Sequence, residues 1–308
     1  MQPPHPLLEF LSSHVLRLTT LDATGNVLAY GTGFIVFDTL YDRDFWPYAP
    51  ANGPIEAGYF LYTCWHVVTG IDFIDPKLPH SYSQPRTLRI EGRYFEYDNG
   101  QRNSVRGPHV MELPLYGDNG HSRWRQQNQH RKNGLIKDCT GISIPRQLDV
   151  VRIPLKTGEL VDQWAMPLKV LDDGVTPLIG WDVFIAGYPY GFSAGGDVLI
   201  EPIYLKRSIA SSNSMGPLSI LLDGVGAQAM SGAPVFLLHE QKWVLAGVYR
   251  GLVNPSFLQG KSEDNTKMGI IAGYVSARET LRSPLGMAHL DLTGPGTPTQ
   301  FAGPPAWP

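Results

Sequence analysis

The chain has 308 residues, including 33 Gly and 26 Pro, while Asp, Glu, Lys and Arg make up only 17%. That balance excludes a helical bundle or coiled coil and suits many short strands joined by turns, and 43% hydrophobic residues are enough for a core, which excludes global disorder. A formal net charge of −3 gives no overall electrostatic reason to bind nucleic acid. The two cysteines, Cys64 and Cys139, cannot build the multi-bridge framework of a small secreted domain. Glu9, Arg17 and Asp22 interrupt the apolar residues near the start, and no stretch reaches the ~20 apolar residues that span a bilayer. The expectation is a soluble, cytoplasmic protein with no membrane partner.

In chain order, a short helix is expected around residues 6–12, and residues 14–21, the turn Gly25-Asn26 and residues 27–37 read as a β-hairpin. Residues 42–58 carry Pro47, Pro50, Gly53 and Pro54 and read as a long surface loop; residues 59–68 are aromatic and β-branched, as in a buried strand. From Asp75 to Arg146 only short strand candidates stand out, such as residues 87–90, among polar stretches. Residues 148–155 form the next expected strand, and residues 156–173 a connector between two halves. In the second half, residues 181–187, 203–210, 218–222, 234–238, 244–249 and 270–275 are strand-like and separated by Gly, Pro, Ser or Asn clusters. Six strands are what a closed barrel can use. A terminal helix is expected over residues 276–282, and a disordered tail rich in Pro, Gly and Thr over residues 293–308. The chain contains no repeat and no metal-ligand spacing, so neither a metal nor an organic cofactor is expected.

Three segments place a polar residue of a different chemical kind at the edge of a strand. They are Tyr62-Thr63-Cys64-Trp65-His66-Val67-Val68, Gln147-Leu148-Asp149-Val150-Val151-Arg152-Ile153 and Ala229-Met230-Ser231-Gly232-Ala233-Pro234-Val235. A serine hydroxyl is a weak nucleophile until an imidazole takes its proton, and the imidazole needs a carboxylate to fix its tautomer and steady its charged form. His66, Asp149 and Ser231 supply those three parts, and only a fold can bring them together. Asp138 is the substitute for Asp149.

In these segments the chain resembles the trypsin-like (chymotrypsin-fold) serine peptidases, in the bacterial type without a signal peptide. The order His, Asp, Ser agrees with that family. Gly31-Thr32-Gly33-Phe34-Ile35-Val36 resembles the strand that precedes its histidine, Thr63 to Val68 its Thr-Ala-Ala-His-Val segment, and Asp149-Val150-Val151 its Asp-Val-Ala element. Gly187-Tyr188-Pro189-Tyr190-Gly191 is similar to its Gly-x-Pro-x-Gly turn, and residues 203–210 to the strand after it. Ser231-Gly232-Ala233-Pro234-Val235 with Leu245-Ala246-Gly247-Val248 resembles the nucleophile turn and the following strand. Ala229 stands where the family has its first glycine, Ala233 fills the variable position, and Cys64-Trp65 replaces two small residues, which implies a roomier pocket behind His66.

The resemblance implies an all-β protein of two six-stranded antiparallel barrels, the first over about residues 13–155 and the second over about 174–275, with the site in the cleft between them. It places the peptidase domain at residues 10–282 and a tail at 283–308. It implies His66, Asp149 and Ser231 as the catalytic triad, the backbone N–H groups of Ala229 and Ser231 as an oxyanion hole, a polypeptide substrate, and hydrolysis through an acyl-enzyme. The specificity pocket falls near Val225 and Tyr249-Arg250-Gly251. No acidic residue sits at Val225, so a preference for Lys or Arg is unsupported, and Arg250 points to an acidic or polar side chain. The alternative is a latent or inactive peptide-binding module of the same fold that needs a partner to order its oxyanion hole. Cys64 reads as a small core thiol, with a Cys–His pair the rarer alternative. The basic run Arg123, Arg125, Arg131 and Lys132 reads as a solvated loop, and Phe45-Trp46-Pro47-Tyr48 and Tyr188-Pro189-Tyr190 as packing under loops.

Overall fold

Strand pairing begins at the first hairpin. The structure, a computed structural model, describes residues 10–39, 57–70, 84–98, 101–118, 120, 122–129, 146–168, 178–195, 200–211, 219–223, 227–253 and 268–272. β1 (Val15–Asp22) is buried on nearly every residue and pairs antiparallel with β2 (Val27–Thr39). Their turn is set by Asp22, whose Oδ1 accepts from the Thr24 hydroxyl (2.6 Å), Thr24 N (2.8 Å) and Asn26 N (2.9 Å). The Thr24 hydroxyl leads the interactions that hold the Asp22 carboxyl down to about 2.

β2 pairs with β3 (Ala57–Thr63), and on the other flank β1 pairs with β4 (Pro85–Asp98), which pairs with β5 (Gln101–Pro114). β3 also pairs with β7 (Arg146–Leu155), and β7 with β6 (Arg125–Gln129). The order is β5-β4-β1-β2-β3-β7-β6, a seven-stranded sheet that ends on β5 and β6. This corrects the six-stranded first barrel expected from the sequence. The additional pairing comes from the β4–β5 hairpin, two 14-residue strands where the sequence marked only residues 87–90. Leu88 and Ile90 alternate into the core with Met111 and Leu113 packed against it, and on the outward side Arg89 Nη2 meets Glu112 Oε1 at 2.9 Å. Arg125, expected in a loop, starts β6.

The second half holds β8 (Asp182–Gly187), β9 (Ile203–Ser211), β10 (Ser219–Leu222), β11 (Pro234–His239), β12 (Lys242–Val253) and β13 (Met268–Ala272). All six expected strands are present, and their antiparallel pairings run in a cycle, β10-β13-β12-β11-β8-β9, which closes the barrel. Closure removes the exposed edges that an open sheet would leave.

Two short helices interrupt expected extended chain. Residues 59–68 are not one strand: β3 stops at Thr63 and α1 (Trp65–Thr69) follows. The 156–173 connector contains α2 (Glu159–Trp164), whose Trp164 is fully buried and donates from Nε1 to Arg93 O at 2.6 Å. Trp164 lies flat against Gly92, where a Cβ would come 2.6 Å from Cε2.

The halves share one core, since Leu16, Phe34 and Val151 of the first cluster with Tyr188, Phe236 and Leu245 of the second. Polar contacts cross there too. The Tyr188 hydroxyl donates to Val15 O at 2.9 Å, and the buried Arg93 donates from Nε to Ile200 O at 2.6 Å and pairs with Glu201. Among the described residues, no helix is long and apolar enough to cross a membrane. The 276–282 helix, the 283–308 tail, Phe45-Trp46-Pro47-Tyr48, Arg131, Lys132, Asp138, Cys139 and Val225 lie outside the described residues.

Candidate active site

His66 owes its placement to the break between β3 and α1. Cys64 is extended (φ −82°, ψ 149°), the chain then turns helical, and Gly70 ends α1 in the left-handed region at φ 66° with its N–H on His66 O. α1 can lie on β2 because Gly31 has no Cβ; one built there would come 2.5 Å from Val67 Cγ1. The first amides of a helix lack intrahelical acceptors. Asp149, reaching from β7, supplies one: its Oδ1 accepts from His66 N at 3.1 Å. Its Oδ2 lies 2.7 Å from His66 Nδ1.

That two-point contact fixes both the backbone and the ring of His66. With Nδ1 donating to the carboxylate, the neutral imidazole carries its lone pair on Nε2. Asp149 is 2% exposed and the His66 side chain 19%, so the carboxylate is sealed while the imidazole reaches the surface. A buried carboxylate is tolerated because both of its oxygens accept hydrogen bonds.

Ser231 lies in a turn leading into β11. Gly232 has φ 91° and is pressed against β2 and β3, where a Cβ would come 2.0 Å from Thr32 O and 2.3 Å from Thr63 Oγ1. Only glycine fits. Ala229 is also left-handed, with φ 66°. The carbonyl of Gln228 accepts from Tyr190 N at 2.7 Å, and the peptide bond is trans, so the N–H of Ala229 faces the opposite way. Among the described residues, neither the N–H of Ala229 nor that of Ser231 donates to a protein acceptor.

The Ser231 hydroxyl donates to Arg250 O at 3.2 Å. Arg250 falls in a register shift between Tyr249 and Gly251 in the β12–β13 ladder. The Cys64 thiol points at the same place, 3.5 Å from Tyr249 O and 3.9 Å from Arg250 O. A Cβ on Gly251 would sit 3.5 Å from Ser231 Oγ. Cys64 thus links two groups, since its thiol lies within 4.8 Å of ligand atoms of His66 and Asp149 and points at the Arg250 carbonyl that accepts from Ser231.

Tyr249 does not line the site. Its side chain is fully buried in the second-half core, its N–H donates to Ala233 O, and its carbonyl accepts from Gly232 N. Strand alternation explains this, because an inward residue in β12 puts its neighbour Arg250 outward. Of the three expected contact residues in β12, Arg250 and Gly251 remain.

The ligand atoms of Cys64, His66 and Asp149 lie within 4.8 Å of one another. A cation there would have to displace the His66–Asp149 hydrogen bond and take the proton of a thiol that burial, and then the charge of Asp149, push well above its ordinary range. The same burial favours the protonated thiol over the thiolate that a nucleophile needs.

Thr32 and Thr63 are site residues for which the sequence reading assigned no role. Thr32 N donates to Ser231 O at 2.9 Å, its hydroxyl donates to Ala229 O at 3.0 Å, and Thr63 Oγ1 donates to Thr32 O at 2.8 Å. A hydroxyl between two glycines in Gly31-Thr32-Gly33 was the available signal. Compared with known proteins, the chain matches no family model and no curated protein.

Proposed function

We propose that the chain is a serine endopeptidase of the trypsin-like kind, acting on a polypeptide. The observation that carries this reading is the Asp149–His66 pair, joined at 2.7 Å and 3.1 Å, beside a serine turn with two uncommitted amides. The order His, Asp, Ser along the chain and the closed second barrel agree with it. Ser231 Oγ attacks the scissile carbonyl, Nε2 of His66 takes the hydroxyl proton, and Asp149 steadies the resulting imidazolium. The carbonyl oxygen gains negative charge between the N–H groups of Ala229 and Ser231. His66 then protonates the leaving amine, and water releases the acyl group by the reverse sequence. Arg250, at the cleft edge, favours an acidic or polar substrate side chain.

One observation favours the second reading, a latent module of the same fold. The Ser231 hydroxyl donates to Arg250 O, an arrangement that must be given up before His66 can take its proton. A fluorophosphonate probe separates the two, since it reacts with an activated serine without needing the natural substrate. Labelling that disappears in Ser231→Ala and in heat-unfolded protein supports the peptidase. Its absence in folded wild-type protein supports the latent module.

A further inference from the structure

We infer that Thr32 is a positioning residue that keeps Ala229 in the turn conformation offering its N–H to the substrate oxyanion, by gripping the Ala229 carbonyl and the turn that carries Tyr190. The inference rests on the peptidase reading above. Thr32 is fully buried on β2, in the half opposite the nucleophile turn. Each of its polar groups is engaged. Its hydroxyl donates to Ala229 O at 3.0 Å and accepts from Tyr188 N at 3.1 Å, while its N–H holds Ser231 O at 2.9 Å and its carbonyl accepts from Thr63 Oγ1 at 2.8 Å. One side chain therefore ties the 188–190 turn to the nucleophile turn.

The need for such a clamp follows from Ala229 itself. Its φ of 66° lies in the left-handed region, which a Cβ disfavours, so the turn has a standing tendency to rotate out of that conformation. Rotation of the Gln228–Ala229 peptide would withdraw the N–H from the cleft and put a carbonyl in its place. Tyr190 N on Gln228 O at 2.7 Å opposes that rotation directly, and Thr32 Oγ1 on Ala229 O fixes the following peptide, Ala229–Met230, so the Ala229 Cα is held from both sides. The Thr32 hydroxyl serves both, because by accepting from Tyr188 N it also steadies the turn that carries Tyr190. With the hydroxyl gone, the buried Tyr188 N–H and the half-buried Ala229 carbonyl lose this partner at once.

The test compares wild type, Thr32→Val, which keeps the volume without the hydroxyl, and Thr32→Ser, which keeps the hydroxyl. With a peptide substrate, Thr32→Val is expected to lower kcat by about ten- to a hundredfold, a part of what loss of an oxyanion donor costs, with KM unchanged. The pH profile keeps its midpoint, because His66 and Asp149 are untouched, and Thr32→Ser restores most of kcat. Amide hydrogen exchange, read by NMR on folded protein, is expected to speed up at Tyr188 and Tyr190 in Thr32→Val and to stay slow in Thr32→Ser. A wild-type kcat in Thr32→Val, a loss that Thr32→Ser fails to restore, or unchanged protection at Tyr190 overturns the inference. Failure of the peptidase reading shows separately, as a wild type that the fluorophosphonate does not label; the exchange arm then still decides whether Thr32 holds the turn.

Discussion

Ala229 is the residue where local preference and the needs of the site pull apart. An L-residue at φ 66° costs about 1–2 kcal/mol that glycine would not, yet the surrounding hydrogen bonds keep the turn in place. Ala229→Gly is therefore expected to leave kcat/KM close to wild type, since the amide is already turned outward; a large gain would mean that the oxyanion hole is poorly formed in solution. The three residues proposed as a triad carry larger stakes. Ser231→Ala and His66→Ala are each expected to lower kcat by roughly 10⁵–10⁶, and Asp149→Asn by about 10⁴ through the wrong tautomer, measured on one peptide substrate. Cys64 governs the alkaline side. Its native pKa is raised by burial and by Asp149, so folding protects a proton that the unfolded chain releases near pH ~8.5. Its contribution to stability is complete below that pH and is lost as pH climbs toward the native value. In a Cys139→Ser background, urea midpoints taken at about pH 7.5 and about pH 9.5 should fall with pH, and Cys64→Ala should fall less.

At the scale of elements, close approaches decide which chain can follow which path. The nucleophile turn meets β2 and β3 at Gly232, where a Cβ would stand 2.0 Å from a backbone oxygen. Gly232→Ala should cost at least ~3 kcal/mol and abolish fluorophosphonate labelling, with a melting curve showing how much protein still folds. α2 is anchored by Trp164, buried against Gly92 and Leu16 and hydrogen-bonded to Arg93 O. Trp164→Ala should destabilise by about 3–5 kcal/mol in urea titrations while leaving the labelling rate of the folded fraction unchanged, because the Trp164 ring packs on Gly92 and Leu16 and its Nε1 bonds Arg93 O. The β3–α1 break was hidden from sequence patterning. Residues 59–68 are uniformly aromatic and β-branched, so no local signal stops the strand at Thr63; the Asp149 carboxylate under the first turn of α1 and the small Gly31 beneath Val67 make the turn possible.

At the scale of the whole molecule, the site exists only where the halves meet. His66 and Asp149 hang from the seven-stranded sheet and Ser231 from the closed barrel, and Thr32 N on Ser231 O bridges them. The continuous core across that boundary predicts a single cooperative urea transition seen by both tryptophan fluorescence and far-UV circular dichroism. Tyr188→Phe removes the hydroxyl that reaches Val15 O at 2.9 Å and should lower stability by about 1–2 kcal/mol without splitting that transition. Two separated transitions would show that the halves unfold independently.

The amino-acid sequence by itself determined the all-β character, the first hairpin, the six strands of the second barrel and the three polar residues worth following. These are local properties: alternation, β-branching and turn residues are written within ten residues of one another. It marked short candidates such as residues 87–90, where Leu88 and Ile90 alternate into the core, because the polar residues 99–109 beyond them carry no apolar period. Tertiary structure alone decided that Asp149 holds His66 at two points, that Tyr249 turns inward while Arg250 bulges out, and that Thr32 grips Ala229 across nearly two hundred residues of chain. Each depends on contacts between segments distant in sequence, and no residue's neighbours along the chain encode which distant carbonyl its hydroxyl will meet.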